Sequence, residues 1–115
     1  MLRCRPVNLI QVMLAEEVLI AEIHVTPNPA GTSGNKYLNI EAAIKVIAES
    51  GLEYEVGALG TTIKGPDKEV WEVLQRVHNM ALAGANQNFS TIKIFSAGDS
   101  EPELNDLTGK YREDK

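Results

Sequence analysis

Glu22 and His24 stand two residues apart in VLIAEIHVT, the run from Val18 to Thr26. If that run is extended, both side chains share one face, where a carboxylate and an imidazole suit acid–base work or metal ligation. The chain holds one further histidine, His78, and a single cysteine, Cys4. Two histidines without a spaced carboxylate cluster do not build a metal centre, so no metal is expected, and a hydrogen-bonded histidine at an interface is the plainer reading of His24. Lys93, in TIKI, offers a cation to an anion or carboxylate. Its plainer roles are a solvated strand lysine or a partner for a facing Glu22. A third group lies in PNPAGTSGN, where Thr32, Ser33 and Asn35 place two hydroxyls and an amide before an expected helix. The unpaired N–H groups of a helix start suit a polar heterocycle or an oxyanion, while helix capping by Ser33 or Asn35 explains the same residues. Neither G-x-x-x-x-G-K-[ST] nor G-x-G-x-x-G is present.

The elements that must hold these residues follow from hydrophobic period. Val18 to Thr26 is rich in β-branched and aliphatic residues and is followed by Pro27, which reads as a strand. Leu19, Ala21, Ile23 and Val25 share one face of it; Ile20, Glu22, His24 and Thr26 share the other. From Lys36 to Ser50 the period becomes helical, with Tyr37, Ile40, Ile44 and Ile47 as the core stripe and Gly51 as the stop. Leu38, Ala42 and Val46 fall on the far side of that wheel and suggest a subunit contact. LEYEVGALG and TTIKG read as two short strands with Gly60 near their turn. Pro66 and Asp67 open a second helix whose core face is Val70, Val73, Leu74, Val77 and Ala81, with Gly84 as its end. Phe89 to Phe95 forms the last strand. The order predicts an α+β, ferredoxin-like βαββαβ fold: a four-stranded antiparallel sheet with two helices on one face.

Residues 18–96 are expected to form this domain, after an N-terminal extension at 1–17 and before an acidic polar tail or short helix at 97–115. From Ser96 onward there are six acidic residues against three basic ones. In this register the uncovered sheet face carries Glu22, His24, Thr62, Lys64, Thr91 and Lys93 together with Ile20, Leu59 and Phe95. Such a mixture suits a second subunit or the border of a pocket, and the two are compatible.

Composition removes several classes of function. The 115 residues suffice for one domain, and 43% hydrophobic with 23% charged is an ordinary globular balance. Sixteen acidic and eleven basic residues give a net charge of −5, against a nucleic-acid binder and against adsorption to anionic lipid. No apolar run reaches the roughly 18 residues of a membrane span. Arg3 and Arg5 precede a partly apolar stretch without a small-residue cleavage site, so a signal peptide is not expected. One cysteine allows no internal disulfide, and a cytoplasmic setting is the expectation.

The run AEIHVTPNPAGTSGNKYLNIEAAIKVIAESGLEYEVGALGTTIKG, with the later TIKI, resembles the small thiamine-binding, YkoF-like family from about Ile20 to Phe95. The most specific parts are Gly31-Thr32-Ser33 with Tyr37, Gly51-Leu52 with Tyr54, Gly60-Thr61 with Ile63 and Gly65, and Thr91-Ile92-Lys93. The resemblance implies a ferredoxin-like domain that forms homodimers or homotetramers through its sheets. It also implies a non-enzymatic protein that binds thiamine or its hydroxymethylpyrimidine part, with no further cofactor. Carried over, Thr32, Ser33 and Asn35 lie at the pyrimidine, Thr61 and Lys93 lie nearby, and Glu22 accepts from the amino group. The chain departs from the pattern at Lys64, where the family commonly has Glu in T-x-x-E-G, at Asn35 in place of Ser, and at SAGDS, which lacks basic residues. If position 64 faces the ligand, Lys64 repels a thiazolium.

The leading expectation is therefore a binding protein that buffers, delivers or senses the vitamin. A structural or regulatory oligomerisation module is the second. An acylphosphatase-like hydrolase on the same fold is disfavoured, because the first loop holds no Arg to stabilise a phosphoryl transition state.

Overall fold

A computed structural model describes residues 17–96. The expected extension, apart from Glu17, and the expected tail at 97–115 lie outside the described residues. The elements are β1 (Val18–Asn28), α1 (Leu38–Ala48), β2 (Glu53–Val56), β3 (Thr61–Pro66), α2 (Asp67–Ala83) and β4 (Gln87–Ser96). The strands form one antiparallel sheet in the order β2-β3-β1-β4, which with two helices is the expected ferredoxin-like α+β fold.

β1 runs through Pro27 rather than stopping before it. Its pairing with β3 ends at Ile23, whereas its pairing with β4 continues to Asn28. Pro27 therefore lies where the strand has a neighbour on one side only, and a missing N–H costs no ladder bond on the other. The alternation along β1 is as its sequence requires. Leu19, Ala21, Ile23 and Val25 enter the core, while Glu22 is half-buried and His24 exposed on the opposite face.

The helices cover the aliphatic face. α2 buries Val70, Val73, Leu74, Val77 and Ala81, the stripe its period predicts. Asp67 and Glu69 in its first turn complement the positive end of the helix dipole. α1 is shorter than its period suggests and is rotated relative to the expected wheel. It buries Asn39, Ala43, Val46 and Ile47; Tyr37 precedes the helix and is exposed, and Ile40 and Ile44 are half-buried. Val46, expected on the outside, is a core residue. The reason is the sharing of α1's inner surface between α2 and the sheet, which widens the buried stripe beyond one i, i+3, i+7 line. Gly51 follows α1 with φ +84, the left-handed conformation that ends a helix without steric cost only for glycine.

Candidate functional site

The stripe Tyr37, Ile40, Ile44 and Ile47 is a cleft wall as well as a helix face. It lines an opening of about 250 Å³ between α1, the β2–β3 turn at 57–60 and the middle of β1. Ile23, His24 and Val25 contribute from β1, Leu59 and Gly60 from the turn, and Thr61 from the start of β3. The turn is closed by the Gly57 N–H donating to the Gly60 carbonyl at 2.8 Å. Leu59 is 80% exposed at its tip, an apolar side chain left available to the cleft mouth. Thr61 is buried and is the predicted site residue that lines this cleft. Aliphatic side chains, one phenol ring and few polar groups make a lining suited to an aromatic heterocycle rather than to a polyanion.

The β1–α1 loop borders the same wall through Tyr37. Its polar groups are organised among themselves. The Thr32 N–H donates to the Asn35 carbonyl at 2.8 Å, and the Asn35 N–H donates to Thr32 Oγ1 at 3.1 Å. Asn35 Oδ1 accepts from the Tyr37 N–H at 3.2 Å, and Asn35 Nδ2 donates to Glu41 Oε1 at 3.1 Å. Asn35 thus organises the turn that leads into α1 and does not cap it: the N-cap residue is Tyr37, and no side chain caps this helix start. Gly31 is required by the tightness of this turn, since a Cβ there would collide with the Asn35 carbonyl oxygen. Thr32 and Ser33 are exposed on the loop and Asn35 is half-buried beneath them.

Glu22 and Lys93 belong to the other side of the sheet, directly opposite one another in the β1–β4 register. Glu22 nevertheless reaches the cleft's turn: a Cβ on Gly60 would stand 3.1 Å from Glu22 Cγ and 3.2 Å from the Ile23 carbonyl oxygen. Its side chain and Thr61 therefore approach the turn from opposite faces of the sheet. Lys93 is exposed and does not line the cleft. Lys64 faces away from the helices, in register with Ile20 and Glu53, and is buried with 7% exposure. It is not a cleft residue, so the expected repulsion between Lys64 and a thiazolium has no basis in the cleft. His24 is exposed and borders the cleft, and no group of three His, Cys, Asp or Glu among the described residues is arranged to hold a metal ion.

The sequence reading missed two features. One is the cleft role of Tyr37, Ile40 and Ile44, which period alone assigns to the core. The other is a polar cluster joining α2 to β4. Ser90 Oγ and Asn88 Nδ2 both meet His78 Nδ1, the latter at 3.0 Å, while Asn88 Oδ1 accepts from the Thr26 N–H at 3.1 Å. These contacts fix the edge strand to the helix layer.

Among the described residues no helix is long and apolar enough to cross a membrane. No curated protein matches the chain. Solved structures do. A domain of unknown function from Bacillus cereus is 27% identical with a TM-score of 0.75, over 86% of this chain and 94% of that one. A Thermotoga maritima protein named provisionally for thiamine biosynthesis or salvage is 24% identical with a TM-score of 0.69, over 83% of this chain and 99% of that one. A hypothetical protein from Methanocaldococcus jannaschii is 23% identical with a TM-score of 0.71, over 84% and 98%. The family model for thiamine-binding proteins matches residues 21–112, most of the length, and the chain belongs to that family.

Proposed function

We propose that this protein binds the hydroxymethylpyrimidine part of thiamine, alone or within the vitamin, and buffers or senses it without turning it over. The cleft carries the reading. Its volume of about 250 Å³ lies just under the range of roughly 300–1,000 Å³ usual for small-molecule sites. That size suits one substituted ring, with any thiazolium left towards solvent. Tyr37 offers a face for stacking, Ile40 and Ile44 an apolar wall, and Thr61 a hydroxyl. Thr32, Ser33 and Asn35 on the adjoining loop, with Glu22 behind Gly60, are the polar groups we assign to the amino group and ring nitrogens. Lys93 is assigned to the rim. The family's name, and the name of the Thermotoga relative, support the choice of ligand; the family's name denotes binding rather than catalysis.

We assign the protein to the cytoplasm, as a homodimer or homotetramer. Phe89 and Phe95 are 77% and 44% exposed on the sheet face away from the helices, beside Lys93, and β4 is an edge strand. The same exposed rings favour the second reading, an oligomerisation module with a different ligand or none.

Tyr37→Ala tests the cleft. Tyr37 is 57% exposed, so its loss is expected to change unfolding free energy by no more than about 0.5 kcal/mol. Loss of an aromatic stacking partner worth about 0.5–1.5 kcal/mol is expected to weaken hydroxymethylpyrimidine binding up to about tenfold in a calorimetric titration. Unchanged affinity would move the ligand elsewhere.

A further inference from the structure

We infer that Asn39 is the positioning residue of the ligand site, the clamp that fixes the β1–α1 loop and Tyr37 beside the cleft. The inference rests on the function proposed above, and Asn39 has no part in the site as the sequence predicts it. It is the second residue of α1, a polar side chain only 6% exposed within an otherwise apolar inner face. Its Nδ2 donates to the Pro29 carbonyl at 2.8 Å and to the Gly84 carbonyl at 3.2 Å. Its backbone N–H donates to the Ala30 carbonyl at 2.9 Å, and the Asn86 N–H donates to the Asn28 carbonyl at 2.9 Å.

Three successive carbonyls at the root of the loop, Asn28, Pro29 and Ala30, are thus held from one side, two of them by Asn39. The same amide ties that root to the end of α2. Gly84 admits the contact, because a Cβ there would collide with Asn39 Oδ1.

Beyond this root the loop is held by the hydrogen bonds among Thr32, Asn35, Tyr37 and Glu41, on exposed or half-buried residues. Thr32, Ser33, Gly34, Lys36 and Tyr37 are all exposed, so apolar burial contributes little to its placement. A segment with few buried contacts opens locally at low cost unless hydrogen bonds pin it. A buried amide with both donors used is such a pin, and losing it leaves two carbonyls without their protein partner. Asn39 does not itself line the cleft, and its hydrogen bonds go to backbone carbonyls rather than to the loop's exposed hydroxyls. Its effect on a ligand passes through the position of Tyr37 and of the turn from Thr32 to Asn35.

The test compares the full chain with Asn39→Ala and with Gly84→Ala, which presses on the same amide from the α2 side. Hydrogen exchange is read at the amides of Thr32 and position 39 and at the sheet amides of Ala21 and Ile63. Binding is read with hydroxymethylpyrimidine. The expected result is exchange raised about tenfold or more at the loop amides alone, with affinity lowered about tenfold, the equivalent of about 1.4 kcal/mol. Unchanged loop exchange, or faster loop exchange with unaltered affinity, overturns the inference. A uniform rise that includes Ala21 and Ile63 also overturns it, since Asn39 would then serve the whole fold. Absence of binding by the unmodified protein overturns the proposed ligand instead, and the loop exchange then decides by itself whether Asn39 is the clamp.

Discussion

Ile63→Ala is expected to remove about 3–4 kcal/mol of folding stability, the middle of the range for deleting a large aliphatic side chain from a core that cannot collapse around the gap. Ile63 is 0% exposed at the centre of β3, with Ala21 opposite it on β1 and Tyr54 opposite it on β2. Ala21 is itself fully buried and too short to fill the space, and the backbone on both sides is held by the sheet ladder. Leu74, Val70 and Val77 of α2 are equally enclosed, so relaxation from the helix layer would open a second gap. At about 4–8 °C per kcal/mol for a domain of this size, the melting temperature should fall by about 12–30 °C. Thr91→Ala, on the exposed face of β4, is the control and should stay within about 0.5 kcal/mol. A loss below about 1 kcal/mol at Ile63 would contradict the placement of the core between β3 and the helices.

Lys64→Glu separates the cleft from the opposite face. If position 64 faced the ligand, a glutamate there should favour a cationic thiazolium. The structure places Lys64 on the side of the sheet away from the cleft, buried and in register with Glu53. A carboxylate there would be buried facing a second one, and like charges directly opposite on neighbouring strands repel. Urea unfolding should show a loss of about 2 kcal/mol or more, the cost of a buried charge without compensation. Thiamine affinity of the folded protein should stay within about twofold, because Lys64 is not among the residues that line the cleft. Tighter thiamine binding with intact stability would contradict this placement and bring position 64 to the ligand.

Much of the fold is legible in the sequence because period, breakers and turns agree along most of it. The alternation of Leu19, Ala21, Ile23 and Val25 with Glu22 and His24 fixes the faces of β1, and the stripe from Val70 to Ala81 fixes α2. The site is less legible. Tyr37, Ile40 and Ile44 have core-like spacing, and spacing alone cannot say that the turn at 57–60 stops short and leaves their ends uncovered. Asn39 looks like a surface polar residue near a helix start. Its burial depends on Gly84, forty-five residues away in the chain. Lys64 is legible as a residue of the uncovered face, but a strand's pattern specifies the face without specifying what encloses the side chain. Thr32, Ser33 and Asn35 are legible as a group through loop composition, whereas their mutual hydrogen bonds are a property of the folded turn.

The most direct test of the central claim is calorimetric titration of the purified protein with hydroxymethylpyrimidine and, separately, with thiamine. Saturable binding of hydroxymethylpyrimidine at about micromolar strength, near −8 kcal/mol, is the expected result. Thiamine should bind with similar or modestly different affinity, because the thiazolium is left outside an opening of about 250 Å³. No heat and no rise in melting temperature with either compound would contradict the account, leaving a member of the family whose cleft serves another ligand.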